Sequence, residues 1–348
     1  MIFRRSLFAA LIVVAVVSLL PTAGAKAVQA PALPSEISDK DFWRMIVDLS
    51  EPGGTYPYEN FVSNELQYQD VVPALKATTK PGGVYIGVGP EQNFTYAAVL
   101  QSKLAFVIDI RRQNMVELLM YKALFEMSAD RADFVSRLFT RKRPSGLTAK
   151  STARELMLAY LGAEQGNAAA FQTNLKAVTD HLTRTRRLQL GADDLAGIEY
   201  VYRNFHRFGP AIIYTSSVNG TSGIRYADLM SNIDTGTRSE RSYLASEDNF
   251  AFVRGLEQKN LIVPVVGDFA GPRALRAVGS YLKDRGAAVT AFYVSNVEMY
   301  LQNNGVWPAF CANVATLPLE NDSIFIRPDG GRSGTFSSMV AETLRCGQ

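Results

Sequence analysis

Two stretches of the chain are apolar with almost no polar break, Val84 to Val88 and Leu104 to Ile110. Runs this short, aliphatic or aromatic nearly throughout, predict strands buried on both faces. A connection of this length between buried strands predicts a parallel βαβ unit. Upstream, Ser38 with Asp41 three residues later predicts a capped helix carrying Phe42, Trp43, Ile46, Val47 and Leu49 and ending at Glu51-Pro52-Gly53-Gly54. An aromatic loop (Tyr56, Tyr58, Phe61, Tyr68) and a short helix from Val71 to Ala77 follow.

From Asn114 to about Arg207 the apolar positions recur at helical spacing: Met115, Leu118 and Leu119, then Phe134 and Leu138, then Leu156 and Tyr160, then Phe171, Leu175 and Val178. Strand-like runs resume at Ala211 to Thr215, Leu261 to Val266 and Val289 to Val294. An amphipathic helix, Pro272 to Arg285, separates the last two and stops at Gly286. A final strand, Ser323 to Arg327, precedes a glycine-rich loop and a C-terminal helix. The order predicts an α/β fold: a Rossmann-like, mostly parallel sheet with a long, mainly helical insert after the second strand. Residues 28–113 would hold the N-terminal helices and first half of that domain, 114–207 the insert or cap, and 208–348 the second half and tail.

Residues 1–27 have a different character. Arg4 and Arg5 precede an apolar run from Leu7 to Leu20, then Pro21 and the small residues Ala23-Gly24-Ala25-Lys26-Ala27. This is the layout of a secretory signal, and the run is shorter than the ~20 residues that span a bilayer. A periplasmic or extracellular protein is expected, with an uncleaved anchor as the alternative. Loss of Arg4, Arg5 and Lys26 takes the formal charge from +3 to zero, which removes any general pull toward nucleic acid. Arg111 to Arg187 nevertheless holds fourteen basic against seven acidic residues. Solvated helix faces explain such a run, and an acidic or envelope partner is the alternative. Cys311 and Cys346 either pair in an oxidising compartment or stay as two buried thiols. With His181 and His206 they lack any zinc spacing, so no metal is expected.

Gly87 and Gly89 stand at the end of the first predicted strand, where a sharp turn and close ligand approach favour glycine. Gln92 replaces the third glycine of a dinucleotide fingerprint. Asp109 lies 22 residues after Gly87 at the end of the next strand, where a carboxylate can accept from both hydroxyls of a ribose, or alternatively cap the following helix.

"VYIGVG" and "VIDIRRQNM" resemble the first two motifs of class I S-adenosylmethionine-dependent methyltransferases, with Gly87 and Gly89 in the glycine loop and Asp109 as the ribose acid. "LIVPVVGDFAG" resembles their fourth strand with its acidic end at Asp268, and "YLKDRGAAVTAFYVSN" resembles the following helix and fifth strand. Tyr85 and Ile86 stand where the family has an acid before the first glycine. The chain also resembles a group of exported bacterial proteins that share "GVGPEQN" and "DIRRQNM". The resemblance implies a small-molecule ligand, S-adenosylmethionine. Candidate cofactor contacts at the strand ends are Gly87, Gly89, Glu91, Asn93, Asp109 and Asn114, and the candidate proton acceptors are Asp268 and Glu298. A non-catalytic ligand-binding or envelope-interaction protein on the same fold is the competing expectation.

Overall fold

A computed structural model describes residues 32–215, 223–329 and 332–346. The expected export segment lies outside the described residues. Val84–Gly87 (β1) and Leu104–Asp109 (β2) are parallel neighbours, with Val84 level with Leu104 and Gly87 level with Val107. Every residue of both strands is buried, as their unbroken apolar character requires. Ile262–Val266 (β3) pairs with β2, and Val289–Tyr293 (β4) pairs with β1. Leu319–Asp329 (β5) continues the parallel sheet, and Arg332–Ser338 (β6) closes it antiparallel. Among the described residues the order is β3-β2-β1-β4-β5-β6, a Rossmann-like α/β sheet.

Helices cover both faces. Asp39–Leu49 (α1) begins as expected, with the Ser38 hydroxyl accepting from the Asp41 amide. Val72–Thr78 (α2) leads into β1, Gln92–Val99 (α3) joins β1 to β2, and Arg112–Met127 (α4) leaves β2. Between α4 and β3 run Arg131–Phe139 (α5), Ala153–Leu161 (α6), Ala168–Asp180 (α7), Ala192–Phe208 (α8), Tyr226–Ser231 (α9) and Glu247–Gln258 (α10). Ala274–Lys283 (α11) connects β3 to β4, Val297–Asn303 (α12) and Trp307–Val314 (α13) follow β4, and Met339–Arg345 (α14) ends the fold. Neighbours on β4 show the two layers. Phe292 meets Phe269 and Phe310 on one face, while Tyr293 meets Tyr96 of α3 on the other.

Three expectations are corrected. Ala211 to Thr215 is not a strand: Gly209, at φ 57, and Pro210 end α8 and open a short 3-10 turn, and the apolar residues after it pack as irregular chain. The helical interval therefore extends to β3. Consequently "LIVPVV" is the third strand in chain order, at the edge of the sheet beside β2, and "VTAFY" is the fourth, beside β1. The expected glycine-rich loop after Arg327 is in part the added strand β6.

Charge within the insert is largely spent inside the chain. Nine of the fourteen basic residues in Arg111 to Arg187 pair with carboxylates of this protein. The most enclosed cluster surrounds Glu126 of α4, which binds Lys122 at 2.7 Å, His181 at 2.5 Å and Arg186 at 2.7 Å. Burial alone would raise this carboxyl, but these bonds hold it at about 2.

Cys311 of α13 and Cys346, just after α14, form a disulfide across 35 residues. This crosslink ties the C-terminal helix to the face of the sheet that carries α13. On a chain-entropy account, replacing both cysteines with serine lowers unfolding free energy by ~3–4 kcal/mol. Urea denaturation with and without reductant measures this; equal midpoints would show that the tail is held by packing alone.

Candidate functional site

The sheet reverses its winding between β1 and β4, and at their carboxyl ends lies a cavity of about 370 Å³. Open α/β sheets form ligand crevices at this point because the connections on either side leave in opposite directions. The turn after β1 supplies Gly89 and Gln92, the end of β2 Asp109 and Arg111, the end of β3 Asp268, and the end of β4 Tyr293 and Ser295. Residues 55–64 form another wall, and Tyr300 of α12 another.

The first glycine does not face this space. A side chain at Gly87 would collide with Asn93 Oδ1 and the Tyr85 hydroxyl, so the protein fills that position itself. Asn93 also gathers the turn, its amide donating to the carbonyls of Val88, Gly89 and Pro90 at 3.0, 3.0 and 2.7 Å. Gly89 does line the cavity, and its φ of 78 requires glycine there. Glu91 is fully buried behind the turn, with its carboxyl accepting the Ser63 amide and its own. Gln92 is 2% exposed and donates to the Val88 carbonyl and the Tyr293 hydroxyl. Because a carbonyl can only accept, this fixes the amide orientation and leaves Gln92 Oε1 buried without a partner among the described residues.

Asp109 faces the cavity already engaged. Arg111 clasps it through Nε at 3.0 Å and Nη2 at 2.7 Å, and both side chains are buried. The Arg111 guanidinium also donates to the Glu59 carbonyl and lies 5.9 Å from the Tyr56 ring. Asp268 accepts the Ala270 amide through one oxygen, at 2.9 Å. Asn114 and Glu117 sit deeper on α4, with acceptor oxygens that have no partner among the described residues. Burial pushes the Glu117 carboxyl well above the usual range. Glu298 is elsewhere, held by Arg327, which also binds Glu342. Of the eight residues expected at the site, Gly89, Asp109 and Asp268 line the cavity; Gly87, Glu91, Asn93, Asn114 and Glu298 do not.

A further constellation completes the site. Glu65 accepts from the hydroxyls of Tyr293 and Ser295, the latter at 2.6 Å. Burial raises its carboxyl to about 7 against the lowering effect of those bonds. Tyr56, Tyr214 and Tyr300 bridge the mouth through a hydroxyl chain, Tyr214 to Tyr56 at 3.4 Å and Tyr56 to Tyr300 at 2.9 Å. Tyr293 ends β4 and Ser295 lies in the turn after it, a strand end that the sequence does make visible. Glu65, in "SNE", carries no pattern that marks it.

Glu91 makes a pH test available. Burial lifts its carboxyl from 4.5 to about 8, so the folded chain keeps a proton that the unfolded chain loses between those values. Stability from this group is therefore lost progressively as pH rises through that window. Glu91→Gln should reduce the fall by up to ~1.4 kcal/mol per pH unit. Denaturant titrations at pH 5.5 and 7.5 read the difference, and an unchanged pH slope would mean that Glu91 is ionised in the fold.

No curated protein sequence matches the chain. A family described as a domain of unknown function, DUF7790, matches residues 60–194 and 219–343. Both matched segments supply cavity walls, the first carrying β1 and β2 and the second β3 and β4. The match covers well over half of the 348 residues, and the chain belongs to the DUF7790 family.

Proposed function

We propose that the cavity binds S-adenosylmethionine and that the protein transfers its methyl group to an acceptor outside the cytoplasm. The observation that carries this reading is the charge of the crevice. Among the described wall residues the ionisable acids and bases other than tyrosine are Asp109, Arg111 and Asp268, and the one cation is already paired with Asp109. At the start of α3, where a diphosphate cofactor would need free backbone N–H groups, the Glu91 carboxyl is buried instead. A phosphate-bearing ligand is therefore disfavoured, while a sulfonium nucleoside meets one net negative charge and several tyrosine rings.

The residues present fit that group. Gly89 offers bare backbone, and Asp109 keeps one acceptor position on Oδ2 beyond the three bonds that Arg111 makes to it. S-adenosylmethionine supplies an activated methyl carbon, so the protein's part is chiefly to orient the acceptor and exclude water. The Cys311–Cys346 disulfide supports an oxidising location. Asn93 filling the space at Gly87 favours a second reading, a binding protein for another ligand on the same frame.

Calorimetric titration of the mature chain with S-adenosylmethionine, S-adenosylhomocysteine and NAD separates these. Binding of the first two without NAD is expected, with Asp268→Asn weakening S-adenosylmethionine by ~10-fold or more through loss of one charged hydrogen bond. Absence of heat and of thermal shift at millimolar ligand, from folded protein, would overturn the cofactor assignment.

A further inference from the structure

Ser295, in the turn after β4, takes a conformation that serine rarely takes, at φ 50, with its hydroxyl donating to Glu65 Oε1. Asn60, on the opposite wall, has a similar φ of 52 and a buried, unpartnered Oδ1. Tyr293 places its hydroxyl between Gln92 and the second oxygen of Glu65. The end of the cavity past β4 therefore presents the Ser295 hydroxyl backed by the Glu65 carboxyl, with the unpartnered oxygens of Asn60 and Gln92 enclosed in the walls. A ligand group that carries its own proton can donate it to this hydroxyl; a bare anion could not.

We propose that Glu65, reached through the Ser295 hydroxyl, is the proton-accepting group of the cavity and that the methyl acceptor is a neutral amine or alcohol. The inference rests on the methyl-transfer reading above. Transfer to such an acceptor forms a C–N or C–O bond and breaks the C–S bond, whose electron pair stays on sulfur. One proton is left on the new product. Ser295 takes it as its own hydroxyl proton passes to Glu65, and Glu65 gives it up to solvent once the products leave. Acceptors that attack without losing a proton, such as thioethers and tertiary amines, have no use for this relay.

The surroundings suit a carboxyl that changes charge. From β4 it meets Tyr293, from the turn after β4 Ser295, from β1 Tyr85 and from α3 Tyr96; no lysine, arginine or histidine is among the groups that shift it. Its proton is retained to about pH 7 in the resting cavity, so near neutrality a cation held beside Ser295 would favour the ionised form.

Titration calorimetry at pH 6.5 in two buffers of different ionisation enthalpy counts protons released on binding. S-adenosylmethionine and S-adenosylhomocysteine differ at sulfur by one charge, so the former should release about half a proton more. The difference should vanish in Glu65→Gln and persist in Glu91→Gln, which controls for another buried acid. The wild-type comparison stands by itself should Glu65→Gln fail to fold. Equal proton release by both bound ligands in the wild type would overturn the role of Glu65 and leave the cofactor assignment intact. A difference that survives in folded Glu65→Gln would also overturn that role. Failure of either ligand to bind would overturn the cofactor assignment and this inference with it.

Discussion

The buried pair between Asp109 and Arg111 is the interaction on which the site is built. Asp109 ends β2 inside the sheet, and its charge could not remain there unpaired. Arg111 neutralises it from two residues away, then reaches across to the Glu59 carbonyl and the face of Tyr56. One guanidinium thus ties a strand end to the 55–64 wall. Removing either partner would leave the other charge buried, at a cost of about 3–5 kcal/mol. The same pairing sets the electrostatics of the cavity, because it spends the cation that lines it.

A second constraint lies across the sheet's switch point. Asn93 closes the turn after β1 by drawing three carbonyls onto one amide, and so presents the Gly89 backbone to the cavity. Glu91 pins the 55–64 wall from behind through the Ser63 amide. The polar residues of "GPEQN" are therefore mostly the internal support of a binding surface. Gly89 and Gln92 belong to the surface itself.

Much of the fold could be read directly from hydrophobic pattern. The unbroken runs of β1 and β2 can only be strands covered on both sides, and the caps and spacing of α1 and α11 locate those helices within a residue or two. Ala211 to Thr215 misleads because an apolar run after Gly209-Pro210 packs into the core without strand partners. The lateral order of strands is set by tertiary contacts, so the places of β3 and β4 are not written in either strand's own residues. The site divides similarly. Asp109 is legible from its strand-end position, whereas its occupation by Arg111 looks in sequence like an ordinary loop pair. Glu65 becomes visible when β4 brings Tyr293 and Ser295 to a residue 228 positions away along the chain from Tyr293.

The central claim is that the switch-point cavity is a sulfonium-nucleoside site. A crystal structure of residues 28–348 grown with S-adenosylhomocysteine tests it most directly. The account predicts continuous density from the Asp109 carboxylate, with the ribose hydroxyls on it, past the Gly89 backbone to a sulfur facing Ser295 and Tyr293. Density for a different molecule in the cavity, or a nucleoside bound elsewhere on the protein, would contradict it.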